Sequence, residues 1–152
     1  MKLYLLQHGD SLAEEVNPER PLSEAGMKDI EKLGKFLEDI DITFSNIFHS
    51  GKLRAKQTAE MIAKCISYPK PVEAHAGLNP NDEVFIVANE LDKLKGDTLL
   101  VGHLPYMSKL VGHLVSGEKN QTLVSFEPGT LVCLEKTLNF WAIYWIIRPQ
   151  LI

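Results

Sequence analysis

Leu3-Tyr4-Leu5-Leu6-Gln7-His8-Gly9-Asp10 is the stretch on which the reading of the fold turns. The apolar run Leu3–Leu6 stops at polar Gln7 and His8 and a glycine. Such a run reads as a buried strand feeding a loop. The pattern recurs: Phe44–His49 leads into Ser50-Gly51, and Thr98–Val101 leads into Gly102-His103-Leu104-Pro105. Helical periodicities lie between these runs. Ser23 is placed to cap a helix in which Met27, Ile30, Leu33, Leu37 and Ile40 share one face, with Lys28, Glu31, Lys32, Lys35 and Glu38 on the other. A second helix follows Gly51 and runs through Ile66, with Ala55, Ala59, Ile62 and Ile66 inward. A third spans Glu83–Leu94, and a fourth starts near Pro105, which suits a first helical turn. Val72–Ala76 reads as a short strand, and Leu131–Glu135 with Phe140–Ile147 as a hairpin turning near Leu138-Asn139. The acidic, proline-bearing residues 11–22 and Gly77–Asp82 read as loops.

Strands that alternate with helices at this spacing predict an α/β fold with a mainly parallel sheet. At 152 residues, one domain covers 1–152. An apolar share of 45% and a charged share of 24% argue against disorder. The net charge of −4 argues against broad nucleic-acid binding, which needs a basic surface. Arginine is scarce, with only Arg20, Arg54 and Arg148, so an arginine inside a motif is notable. Cys65 and Cys133 form no CxxC pair and read as reduced core thiols. The run Phe140–Ile147 falls far short of the roughly 20 residues of a membrane span, and Met1–Leu6 is too short for a signal peptide. A cytoplasmic monomer, with no nucleic-acid or membrane partner, is the expectation.

Three polar clusters, Gln7-His8-Gly9, His49-Ser50 and Gly102-His103, each follow an apolar strand directly. The carboxyl ends of parallel strands open onto one edge, where open α/β sheets bind ligands. A neutral imidazole at His8 is a competent nucleophile toward phosphorus, and Gly9 permits close approach. Arg54 lies one turn into a helix, and helical side chains lean toward the N-terminus, so it reaches back over the strand ends. The other reading of Arg54 is a surface residue paired with Glu60 or Glu73. His103, just before a helix, is placed to meet an anion together with neighbouring backbone N–H groups. His49 borders this edge, and His113 falls on a helix as a surface or packing residue. No HxH, HExxH or DxD spacing suggests a metal, no GxxxxGK[ST] a P-loop, and no GxGxxG a dinucleotide site.

Together these residues resemble the histidine phosphatase superfamily, the phosphoglycerate mutase-like fold. The matching segments are Leu5–Asp10, Arg20-Pro21-Leu22-Ser23-Glu24-Ala25-Gly26, Ser50–Ala59 and Val101–Pro105, in the family's order and across most of the chain. Asp10 after His-Gly, Leu78-Asn79-Pro80, His103-Leu104-Pro105 and the short length look most like the small SixA-type phosphohistidine phosphatases. The resemblance implies a three-layer α/β/α sandwich without a large cap insertion. It implies that His8 attacks phosphorus and becomes phosphohistidine, while Arg54, His103 and backbone N–H groups hold the phosphoryl oxygens and water completes the hydrolysis. It implies Gln7, Gly9, Arg20 and Leu104 as phosphate-binding positions, and no metal or cofactor. Family members often carry a proton donor after the third strand; here Asp82 and Glu83 are the candidates, and each is equally suited to charging a helix N-terminus.

One position departs from the family pattern, which has Arg-His-Gly where this chain has Gln7-His8-Gly9. Exchanging a charge-assisted hydrogen bond for a neutral one costs about 1–2 kcal/mol, or roughly ten- to thirty-fold in rate. Arg20 is a candidate to replace that charge. Phosphohistidine on a protein is the favoured substrate class, since its imidazole departs readily once protonated; a small phosphomonoester is the other. A weakly active or inactive phosphate-binding relative is the alternative that Gln7 suggests. The short loops disfavour a mutase, which must retain a bisphosphate intermediate.

Overall fold

The computed structural model describes residues 1–152. Its elements are β1 (Lys2–Gln7), α1 (Glu24–Asp39), β2 (Asn46–His49), α2 (Leu53–Cys65), β3 (Glu73–Ala74), α3 (Val84–Glu90), β4 (Thr98–Gly102), α4 (Tyr106–Ser116), β5 (Leu131–Lys136) and β6 (Trp141–Ile147). The six strands form one sheet in the order β3-β2-β4-β1-β5-β6. β1, β2, β3 and β4 run parallel, and β5 and β6 add an antiparallel hairpin beside β1.

β1 lacks polar alternation because both its faces are covered, as in other sandwiched parallel strands. Leu3 and Leu5 join Leu100, Val132 and Leu134 in a core under α3 and α4, which add Val84, Val87, Tyr106 and Leu110. Tyr4 and Leu6 point the other way, into a core with Ile30, Leu33 and Leu37 of α1 and Ala55, Ala59 and Ile62 of α2. Two apolar layers on one sheet make the three-layer sandwich. Full burial of each leucine contributes about 1.5–3 kcal/mol, so the central strand anchors both layers at once.

The helical faces differ from their periodicity at informative places. Ile30, Leu33 and Leu37 are buried, but Met27 and Ile40 are exposed, and Gly26 and Gly34 occupy the interface instead. A Cβ on Gly34 would sit 2.5 Å from Cys65 Sγ of α2, and one on Gly26 would sit 2.1 Å from the Asp10 carbonyl oxygen. α1 therefore seats on its neighbours through glycines, which hydrophobic spacing does not register. The expected strand Val72–Ala76 contracts to Glu73–Ala74, because it pairs only with Phe48 and His49 at the sheet's edge. The expected helix over Glu83–Leu94 is α3 followed by a 3-10 turn, Leu91–Lys93. Phe44 is buried ahead of β2 and lies outside it.

Gly26→Ala separates helix propensity from packing. Alanine gains about 1 kcal/mol within a helix, while forcing a methyl into filled space costs about 1–3 kcal/mol and more against rigid backbone. The Asp10 carbonyl is backbone, so packing wins. The urea midpoint of the variant should fall below that of the wild type; a rise would mean that α1 does not sit this close.

Candidate active site

The sheet register sets the site. Gln7 is level with Gly102, and His49 with Val101, so β1, β2 and β4 end in one line. The His8 N–H donates to the Gly102 carbonyl at 3.0 Å. On the other side, the Gln7 N–H donates to Thr130 O and the Gly129 N–H to Gln7 O, so residues 127–130 clasp the exit of β1. Beyond that line the His8 and His103 rings lie 5.0 Å apart between centroids. Both are buried, His8 at 9% exposure and His103 at 2%.

His8 Nδ1 lies 2.7 Å from the Gly9 carbonyl oxygen. A carbonyl only accepts, so Nδ1 carries the hydrogen and Nε2 carries the lone pair. Burial pushes the His8 imidazole down to about 4; the Gly9 carbonyl opposes this, and the charges of Arg54 and Arg20 reinforce it. The ring is therefore neutral at pH 7, with its nucleophilic nitrogen free.

Gly9 has a different part from the one its sequence position suggests. Its N–H donates to Thr58 Oγ1 at 3.1 Å and its carbonyl serves His8, so neither group is left for an anion. A Cβ here would lie 2.8 Å from Ile30 Cγ1, so the close approach that glycine allows is to α1.

Cations surround the two rings. Arg54 Nε is buried without a protein partner, and the Arg54 charge acts on both imidazoles. The alternative pairing of Arg54 with Glu60 or Glu73 does not form; Glu60 faces Lys56. Arg20 has a left-handed backbone (φ 48°) and is held through Nε to Leu12 O and through Nη2 to Ser11 Oγ. Its charge reaches His8, Arg54 and His103. Burial and then Arg20 lower the Arg54 pKa from its ordinary value, as expected of two like charges facing one space. Burial, His8, Arg54 and Lys52 push His103 down to about 3. Gln7 is buried with an unpartnered Oε1. Leu104 sits half-exposed between His103 and α4, and its N–H makes no backbone hydrogen bond.

The structure does not draw Asp82 and Glu83 into this cluster. Asp82 Oδ2 accepts the Asn79 N–H at 2.9 Å, and Glu83 pairs with Lys119 at 3.2 Å. Asp82 closes the turn before α3, and Glu83 stands at its N-cap without a capping hydrogen bond. The carboxylate whose charge acts on His8 is Asp10, which also accepts from Ser23 Oγ at 2.6 Å. The sequence places Ser50 in the polar cluster after β2 but assigns no site role to Asp10, Thr58 or the 127–130 turn. Thr58 was within reach of sequence reasoning, since it lies one helical turn after Arg54. His49 accepts the Gly51 N–H at Nδ1, and His113 lies in the last turn of α4. The larger surface grooves run along α1 and α2 and hold no histidine. No group of three or more His, Cys, Asp or Glu side chains converges as a metal centre.

A profile of the histidine phosphatase superfamily (branch 1) matches residues 3–82. The chain belongs to that superfamily. An uncharacterized protein of Picosynechococcus is 27% identical over 130 residues, covering 81% of this chain and 78% of the relative. Among solved structures the chain is similar to the protein histidine phosphatase SixA complexed with tungstate, with a TM-score of 0.88, 22% identity and coverage of 99% and 98% of the two chains. It is also similar to the α-ribazole phosphatase of Shigella flexneri, with a TM-score of 0.82 at 16% identity over 98% and 97%. The phosphoserine phosphatase of Entamoeba histolytica with 3-phosphoglyceric acid gives 0.72 at 13% identity over 95% of each chain. These likenesses establish the α/β fold with its mainly parallel sheet.

The lowered His8 value has a definite sign. An unfolded histidine titrates near 6.5, so below that pH the unfolded chain binds protons that folded His8 refuses until about pH 4. Native stability contributed by neutral His8 is therefore present above pH 6.5 and lost as pH falls toward 4, and His103 extends the loss downward. An NMR titration of the His8 ring should place its midpoint well under 6.5. A midpoint near 6.5 would mean that the ring is solvated and the site looser than described.

Proposed function

We propose that this chain is a metal-independent phosphatase that works through a phosphohistidine on His8, with phosphohistidine borne on a protein as its substrate. The observation that carries the reading is the neutral His8 ring, its Nδ1–H held by the Gly9 carbonyl, set in the field of Arg54 and Arg20 beside His103. In the first step the Nε2 lone pair forms a bond to phosphorus, and the bond to the leaving group breaks with its electron pair. In the second, water attacks phosphorus, the P–Nε2 bond breaks, and inorganic phosphate departs. Charge spreads over the equatorial oxygens in both steps, so Arg54, Arg20, the His103 ring and the Leu104 N–H act where it gathers.

Proton supply favours the substrate class. An alkoxide leaving group needs a placed acid, and the hydrogen-bond partners of Asp82 and Glu83 lie outside the His8–His103 cluster. A phosphorylated imidazole leaves as a neutral ring once protonated by water, and so needs no such acid. The chain also adds no large insertion beyond the strands and helices of the sandwich, which suits a protein-borne group better than a small metabolite that must be enclosed.

The position of Arg20 supports its taking over the charge that Gln7 lacks. Its guanidinium acts on the same two rings as Arg54. Arg20→Ala should then cost about ten- to hundred-fold in rate, the worth of a charge-assisted hydrogen bond of about 1.5–3 kcal/mol. Gln7→Arg should gain little, because a third guanidinium enters a space where two already repel. A ten-fold gain in Gln7→Arg with an unaffected Arg20→Ala would reverse this assignment.

The decisive experiment offers a phosphohistidine peptide and p-nitrophenyl phosphate, with and without EDTA, and traps acid-labile phosphoenzyme. Turnover should survive the chelator, and His8→Ala should lose both turnover and the trapped intermediate. A covalent intermediate persisting in His8→Ala would overturn the mechanism. Negligible rates in the wild type, with phosphate still bound, would favour a non-catalytic phosphate-binding relative, the reading that Gln7 suggests.

A further inference from the structure

The His103 ring raises a question that the phosphatase reading leaves open: which of its nitrogens carries the hydrogen. A neutral imidazole has one N–H, and an anion is served only by the nitrogen that has it. Ser50 Oγ lies 2.6 Å from His103 Nε2, while His103 Nδ1 is buried with no protein partner. Ser50 is not placed there by chance. Gly51 adopts φ 94°, in the left-handed region that glycine favours, and turns the chain between β2 and α2. The turn is closed by the Gly51 N–H on His49 Nδ1 and by the Lys52 N–H on Ser50 Oγ at 3.3 Å. The hydroxyl oxygen is thus already an acceptor, and its hydrogen remains to be donated.

We propose that Ser50 is a positioning residue: it donates its hydroxyl hydrogen to His103 Nε2, holds the ring in the Nδ1–H form, and so aims an N–H at the phosphoryl oxygens. The opposite arrangement fares worse. If Nε2–H donated to Ser50, the serine hydrogen would find no protein acceptor, and the Nδ1 lone pair would face an anion across a buried site. Water can take the hydrogen of the half-buried serine, so the deciding cost is the repulsion between that lone pair and the anion. A ring kept neutral by burial and the surrounding cations cannot escape the choice by taking a second proton near pH 7. The proposal rests on the phosphatase reading for the anion that His103 meets; the Ser50–His103 contact itself is given by the geometry.

The test is long-range 1H–15N NMR of the ring nitrogens at pH 7, with vanadate affinity measured beside it. Wild-type His103 should show a protonated Nδ1 and an unprotonated Nε2. Ser50→Ala should shift the ring toward Nε2–H and weaken vanadate binding by about ten-fold, the loss of one hydrogen bond to a charged acceptor. Ser50→Thr keeps the hydroxyl and should restore both. An Nε2–H ring in the wild type overturns the proposal even if Ser50→Ala does not fold. So does weaker vanadate binding in Ser50→Ala with unmoved His103 shifts, which would assign Ser50 to the turn alone. Failure of the two readings is distinguishable. Nδ1–H without any phosphoenzyme supports the Ser50 assignment and counts against the phosphatase. Nε2–H with a normal phosphoenzyme does the reverse.

Discussion

The parallel registers of β1 and β2 against β4 are the constraint on which the rest depends. They set Leu6 beside Val101, Val101 beside His49, and Gln7 beside Gly102, so three strands release their polar residues at one level. A slip of one residue would exchange the faces of every side chain on a strand. Here it would drive Tyr4 and Leu6 into the core meant for Leu3 and Leu5. Both cores are full, so neither face tolerates the exchange. The apolar half of β1, which takes no part in chemistry, thereby fixes where His8 begins.

That precision is needed because the site works against folding. Two guanidiniums face two imidazoles, and the one carboxylate acting on His8 is exposed Asp10. Burial holds both rings neutral at a cost to stability that grows as the pH drops. Arg20 and Arg54 repel each other in the free site. An anion is what such a site lacks: its charge would offset the repulsion between the two guanidiniums and meet the unpartnered Arg54 Nε. The strain is tolerable because two apolar layers share β1, and the residues that fill them lie outside the His8–His103 cluster.

Much of this was legible in the sequence, where periodicity and abrupt polarity are strong. The four helices and the principal strands follow from them, and so does the arrival of His8, Arg54 and His103 at one edge. What was not legible is mostly contact between backbones. Gly26 and Gly34 face inward because α1 seats against the Asp10 carbonyl and Cys65, and hydrophobic spacing instead points to Met27 and Ile40. Gly9 looked like room for a ligand and proves to be room for Ile30. Asp82 and Glu83 suit a site acid by position but find partners in Asn79 and Lys119, which a short loop's composition cannot decide. The place of Arg20 depends on the loop 11–22 folding back through a Ser11–Leu22 bridge, and loop closure leaves no periodic trace.

One turn of α2 ties the loop that carries Arg20 to the strand end that carries His8. Residues three and four apart share a helical face, and Arg54, Gln57 and Thr58 are so spaced. Arg54 points its charge at the rings. Gln57 Oε1 accepts the Leu22 N–H at 2.8 Å and so ties down the loop that carries Arg20. Thr58 Oγ1 donates to the Arg54 carbonyl at 2.8 Å and accepts the Gly9 N–H, fixing the backbone just past His8. Arg54, the anchor of the Arg20 loop and the anchor of the backbone beside His8 thus share one turn of α2. A guanidinium on a free loop would lose much of its advantage to entropy, whereas one held by Leu12, Ser11 and, through Leu22, by Gln57 is already oriented. The frame that holds Arg54 thus also holds the loop that carries Arg20.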